Sequence, residues 1–126
     1  MKKTAKDMVS EAKSKIENLA PEQVAEEMEN GAILVDIRDQ PEITQSGRIP
    51  GSVHVPRGML EFRADTTSPY HDESLDPDSR VILTCASGGR SALAVVALQE
   101  MGYTNVAHLD GGFNTWSEEG RPVEQA

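Results

Sequence analysis

The chain has 126 residues, with 12 Lys+Arg against 21 Asp+Glu and a formal net charge of −9. That is one domain's length, and a domain of this size buries roughly two-thirds of its unfolded surface without needing disulfide staples. The acidic balance argues against nucleic acid and against anionic membrane surfaces as partners.

Met1-Lys2-Lys3 looks like the start of a signal peptide, but Asp7, Glu11 and Lys13 follow where an apolar stretch is needed, so none is expected. No apolar run approaches the ~20 residues of a membrane helix. The single cysteine, Cys85, rules out an intramolecular disulfide and a thiolate zinc cluster, and it suits a reducing cytoplasm.

In chain order, residues 5–19 read as an amphipathic helix with Met8, Val9, Ala12, Ile16 and Leu19 on one face. This arm, residues 1–18, either docks on the domain that follows (19–126) or meets a partner. A second helix starts at Pro21, shows Val24, Ala25 and Met28 on its apolar face, and stops at Asn30-Gly31. Ala32 to Asp36 is a short apolar run that reads as a buried strand, as do Ser52 to Val55, Val81 to Thr84 and Val106 to Leu109. The helix from Ser91 to Met101 is apolar nearly all round at first and should be the most buried. Strands alternating with helices imply an α/β fold, a parallel sheet with helices on both faces. The polar stretch from Asp65 to Arg80 is long enough to be functional or mobile.

Chemistry concentrates in Thr84-Cys85-Ala86-Ser87-Gly88-Gly89-Arg90-Ser91, which joins a buried strand to a buried helix. Ligands in open α/β sheets bind at the carboxyl ends of strands. Gly88 and Gly89 allow backbone conformations that aim successive N–H groups inward. The following helix turns its positive end to the loop, and Arg90 adds a permanent charge. All three favour a thiolate on Cys85. Ser91 is expected to cap the helix, the alternative being a donor to the loop.

These segments, taken together, resemble the single-domain rhodanese family. Leu34-Val35-Asp36-Ile37-Arg38, Gly47 to Pro56, the loop from Cys85 to Arg90 and Leu109-Asp110-Gly111-Gly112-Phe113-Asn114-Thr115-Trp116 stand in the family's order, over roughly residues 19 to 120. The resemblance implies a rhodanese-like α/β fold, a parallel sheet of about five strands with an added N-terminal helical arm. It further implies sulfur transfer from a donor such as thiosulfate to a thiophilic acceptor. Cys85 would carry the persulfide, held by the loop of Ala86, Ser87, Gly88, Gly89, Arg90 and Ser91. No cofactor and no metal is implied.

Four residues separate Cys85 from Arg90, whereas phosphatases and arsenate reductases of this fold use five, usually with His before the Cys, where this chain has Thr84. Ala86 and Ser87 replace the basic residues that thiosulfate-preferring members often carry after the Cys. The alternatives are a protein-binding, persulfide-carrying or sulfide-sensing module with little small-molecule turnover, and more remotely a phosphatase or arsenate reductase. Arg57, and less so Arg63, could attract an anionic donor at the cleft mouth. Asp36 and Arg38 are expected to pair structurally, Trp116 to sit in the core, and Gly111-Gly112 to make a turn. His54, His71 and His108 are isolated in sequence, and none is expected beside Cys85.

Overall fold

The computed structural model describes all 126 residues. Five parallel strands form one sheet in the order β1-β5-β4-β2-β3. These are β1 (Glu17–Leu19), β2 (Ile33–Asp36), β3 (Val53–His54), β4 (Val81–Thr84) and β5 (Val106–Leu109). The helices are α1 (Ala5–Lys13), α2 (Pro21–Glu29), α3 (Gln40–Ser46), α4 (Leu60–Ala64), α5 (Gly89–Glu100) and α6 (Gly112–Glu118), with a 3-10 turn at Arg57–Met59 before α4.

The N-terminal arm differs from its sequence reading. The Thr4 hydroxyl accepts from Asp7 N–H, and the Asp7 carboxylate accepts in return from Thr4 N–H, so α1 starts at a capping box. It ends at Lys13 rather than Leu19, because the Asn18 amide donates to the Lys13 and Ile16 carbonyls and turns the chain back. Glu17–Leu19 then joins the sheet as an edge strand, Asn18 pairing with His108 of β5. The N-terminal segment therefore completes the sheet as well as supplying a helix.

Strand alternation sends successive side chains to opposite faces. Val35, Val81, Leu83 and Val106 meet α4 and α5 through Leu60, Ala94, Val95 and Leu98. Leu34, Ile82, Ala107 and Leu109 meet α2 and α6 through Val24, Phe113 and Trp116, so Trp116 is a core residue. Cys85 lies on the first face, the α5 side. Helix α1 packs on the outside of α5, where Val9 approaches Gly89.

Residues 65–80 contain no helix or strand, yet local bonds tie them down. Asp65, Asp72 and Asp76 each accept from a backbone N–H two residues on, and Leu75 is fully buried. Arg80 closes the stretch with ion pairs to Glu17 and Glu27.

Candidate active site

Strand β4 carries Cys85 to the carboxyl edge of the sheet, and the chain turns through Ala86–Gly88 into α5. Gly88 is the residue just before the helix, and its φ of +99° is open to glycine and strained for other residues. That turn aims two backbone donors at the sulfur. Gly88 N–H reaches Cys85 Sγ at 3.2 Å and Ser91 N–H reaches it at 3.3 Å. Cys85 is only 1% exposed, so a reagent meets the edge of the sulfur and little more.

A second helix fixes the rest of the loop. Phe113 N–H donates to the Cys85 carbonyl at 2.8 Å, and Asn114 N–H to the Ala86 carbonyl at 3.0 Å. In a planar trans peptide the N–H points opposite to the C=O. Anchoring those two carbonyls on α6 therefore turns the Ala86 and Ser87 N–H groups the other way. Along with the N–H groups of Gly89 and Arg90, they donate to no acceptor within the protein. Gly112 makes this approach possible. A Cβ there would lie 2.5 Å from the Cys85 oxygen and 2.7 Å from the Ala86 carbonyl carbon. Gly111-Gly112 is thus a turn, as expected, and also the surface on which the loop rests.

Arg90 does not face the sulfur as an unpaired cation. Its guanidinium makes two bonds to Glu42 of α3, at 2.9 and 2.8 Å. The Arg90 hydrogen bonds hold the Glu42 carboxyl down to about 2, against the resistance of partial burial. The groups in contact with Cys85 Sγ are therefore loop N–H donors and the Ser91 hydroxyl, with the Arg90 charge already paired.

Ser91 is not the helix cap, because Gly88 occupies that position. Its hydroxyl lies 2.8 Å from His108 Nδ1, 3.3 Å from the Gly88 carbonyl and 3.5 Å from Cys85 Sγ. His108 Nε2 lies 2.7 Å from Asn18 Oδ1. A histidine does stand one hydrogen bond from Ser91, which itself lies beside Cys85, and the sequence reading missed it. The available signal was alternation: Val106 and His108 share a strand face, as do Leu83 and Cys85. Burial pushes His108 down to about 4, Asp110 opposing and Lys13 assisting the shift.

The other expected residues are placed as follows. Asp36 and Arg38 form a buried ion pair, with Arg38 also donating to the Gly47 carbonyl and lying over the Phe113 ring. His54 Nε2 meets the Arg38 carbonyl. Arg57 pairs with Glu61 at 2.7 Å and lines a groove of about 400 Å³ between α1 and α5, with Lys3, Met8, Leu93 and Val96. Arg63 sits in α4, its Nε buried without an acceptor. His71 bonds to the Leu75 carbonyl, inside its own loop. No cluster of metal-ligating side chains exists, and no helix is long and apolar enough to cross a membrane.

The chain is similar to known proteins in sequence and in fold. A thiosulfate sulfurtransferase, GlpE, from Pseudomonas aeruginosa is 36% identical over 101 residues, covering 79% of this chain and 83% of its own length. The GlpE of Haemophilus influenzae is 35% identical over 109 residues, covering 86% and 94%. Among solved structures, a Rhodopseudomonas palustris protein of unknown function, described as a possible tyrosine phosphatase, superposes with a TM-score of 0.91 at 42% identity, covering 98% of this chain and 96% of its own. The polysulfide-sulfur transferase homodimer of Wolinella succinogenes gives 0.77 at 30% identity, covering 96% and 87%. The family model for the rhodanese-like domain matches residues 20–119, from the end of β1 through the whole of α6. With its sheet order, its loop of loose N–H donors around one cysteine and this match, the chain belongs to the rhodanese-like domain family.

Proposed function

We propose that this protein is a sulfurtransferase that carries sulfane sulfur as a persulfide on Cys85. The observation that carries the reading is the set of N–H donors around the sulfur. Two reach Sγ, and four more on the same loop have no protein acceptor. The names of its relatives, thiosulfate sulfurtransferase and polysulfide-sulfur transferase, describe donors that share a sulfane sulfur.

The Cys85 thiolate attacks the outer sulfur of thiosulfate. The new S–S bond forms as the donor's S–S bond breaks, and sulfite leaves with the electron pair. The outer sulfur of the persulfide now carries the negative charge, within reach of the N–H groups of Ala86, Ser87, Gly89 and Arg90. Preorganised dipoles of this kind stabilise charge without rearranging as it develops. A second thiophile, cyanide or a thiolate, then attacks the outer sulfur, and Cys85 leaves as the thiolate. Two half-reactions through one covalent intermediate give ping-pong kinetics. Arg57 serves in this scheme as a weak steering charge for an anionic donor, weakened by its pairing with Glu61.

The phosphatase reading meets a physical objection. A four-residue loop offers a smaller ring of donors than a tetrahedral phosphate requires. Intact-protein mass after thiosulfate decides between them. The expected result is a gain of one sulfur, lost on treatment with a reducing thiol and absent in Cys85→Ala. No gain from thiosulfate or polysulfide, together with Cys85-dependent hydrolysis of an aryl phosphate, overturns the proposal.

A further inference from the structure

His108 is buried, titratable and close to the nucleophile, and the sulfur-transfer scheme leaves it without a task. Its hydrogen bonds define its state. The Asn18 amide nitrogen is occupied by the Lys13 and Ile16 carbonyls, so the side-chain oxygen must face His108 Nε2. Nε2 therefore carries the hydrogen. Burial keeps the ring neutral at ordinary pH, which leaves Nδ1 a bare acceptor. The Ser91 hydroxyl, 2.8 Å away, donates to it. Only the lone pairs of Ser91 Oγ then remain for Cys85, and in the thiol form they accept the S–H at 3.5 Å.

We propose that His108 is a positioning residue for the Cys85 nucleophile: it holds the Ser91 hydroxyl proton on Nδ1 and so denies that donor to the Cys85 sulfur. This inference rests on Cys85 being the persulfide-bearing nucleophile. A hydroxyl given to the thiolate would draw off charge, and sulfur nucleophilicity falls as its basicity falls. Once sulfur is loaded the charge sits on the outer sulfur and Sγ becomes a poor acceptor, so a hydroxyl given to it would have to turn to the Gly88 carbonyl, 3.3 Å away. With the hydroxyl committed to His108 throughout, loading and unloading leave that bond intact. The ring thus keeps the thiolate supported by the Gly88 and Ser91 N–H groups alone.

The charged groups facing this chain are Lys13 at the end of α1, Asp110 after β5, and Arg90 with its partner Glu42. None is altered in the test. The rate of Cys85 alkylation by iodoacetamide is followed against pH in the wild type, Ser91→Ala, His108→Phe and the double variant, with thermal melts to confirm folding. Ser91→Ala is expected to leave the midpoint within a few tenths of a unit of wild type. His108→Phe leaves the hydroxyl two acceptors, the Cys85 sulfur and the Gly88 carbonyl; the thiolate, being charged, is the stronger, so the midpoint should fall by roughly half a unit to one unit. Adding Ser91→Ala should return it.

A rise of about one unit in Ser91→Ala alone would mean that the hydroxyl already serves the thiolate, and the proposal would be overturned. A midpoint that stays or rises in a folded His108→Phe overturns it as well. Should His108→Phe fail to fold, the smaller His108→Leu, alone and with Ser91→Ala, takes its place, with the same fall and return expected and the same results overturning the proposal. Alkylation needs no sulfur donor. A chain that follows this pattern but takes up no sulfur therefore refutes the sulfurtransferase reading and leaves the role of His108 standing.

Discussion

Replacing Gly112 by Ala tests whether α6 builds the Cys85 loop. Gly112 has a φ of +62°, and its missing Cβ would lie 2.5 Å from the Cys85 oxygen, 2.7 Å from the Ala86 carbonyl carbon and 2.7 Å from the Ala86 oxygen. All three are backbone atoms of the loop itself, so no flexible side chain can swing aside. The left-handed conformation alone costs an L-residue about 1–2 kcal/mol. Pushing the two segments apart also breaks the bonds from Phe113 and Asn114 to the Cys85 and Ala86 carbonyls, at about 1 kcal/mol each. The total is about 3–4 kcal/mol, which at this chain length lowers Tm by about 12–16 °C. Gly31→Ala supplies the control, because Gly31 has a φ of +99° with nothing within 4 Å of its Cβ position. It should lower Tm by only about 4–8 °C. Gly112→Ala also releases the Ala86 and Ser87 peptides, and losing an aimed backbone donor costs about 10²–10³ in rate. Thermal melts and thiosulfate-to-cyanide turnover measure the two effects. A Gly112→Ala protein that matches Gly31→Ala in Tm and the wild type in kcat/KM would refute the idea that α6 holds the loop.

Arg38→Met leaves the buried Asp36 carboxyl with the backbone N–H of residue 38 but no guanidinium partner, and should cost about 3–5 kcal/mol by urea denaturation, whereas replacing both partners with apolar residues should cost much less. Glu42→Gln frees the Arg90 guanidinium beside the loop, so KM for thiosulfate should fall and become more sensitive to salt; an unchanged KM at low ionic strength would count against it. His108 titrates near 6.5 in an unfolded chain and is held to about 4 by burial in the folded one. The unfolded state therefore takes up a proton that the folded state refuses. Stability is full above pH ~6.5 and falls as pH drops toward 4, by about 1–3 kcal/mol after allowance for solvent screening, and His108→Phe should remove that slope in denaturant titrations.

Much of the fold was legible because its signals are local. The apolar runs of β2, β4 and β5 and the alanine-rich α5 lie in consecutive residues, and their alternation fixes a parallel sheet. The edge strand β1 was not legible. It has three residues, two of them polar, which is too few to show a period of two, and it follows directly on a helical pattern. What stops that helix is Asn18 bonding back to Lys13, a side-chain preference that does not outweigh apolar periodicity in a sequence window. The site divides the same way. Cys85 and its loop are contiguous and could be read. Glu42 stands 48 residues from Arg90, and Asn18 stands 90 from His108, so strand register and crossovers bring them together. Ser91 was misread for a related reason. Capping rules favour its hydroxyl at a helix start, but Gly88 takes the cap and a residue from another strand takes the hydroxyl.

The surroundings of Cys85 also bear on why the loop uses dipoles rather than charges. Each cation nearby is already answered by a carboxylate: Arg90 by Glu42, Lys13 by Asp110, Arg38 by Asp36. On the proposed mechanism the enzyme carries one negative charge on sulfur before and after loading. The charge only moves from Sγ to the outer sulfur, across a bond of about 2 Å. A fixed cation close to either position would favour one state and slow the other half-reaction. A ring of N–H groups has no such bias. The Gly88 and Ser91 donors hold the charge while it is on Sγ. The unoccupied donors of Ala86, Ser87, Gly89 and Arg90 take it up once it has moved. With both positions supported by similar dipoles, the loaded and unloaded forms stay close in energy, and a carrier that must both accept and surrender its cargo needs that balance.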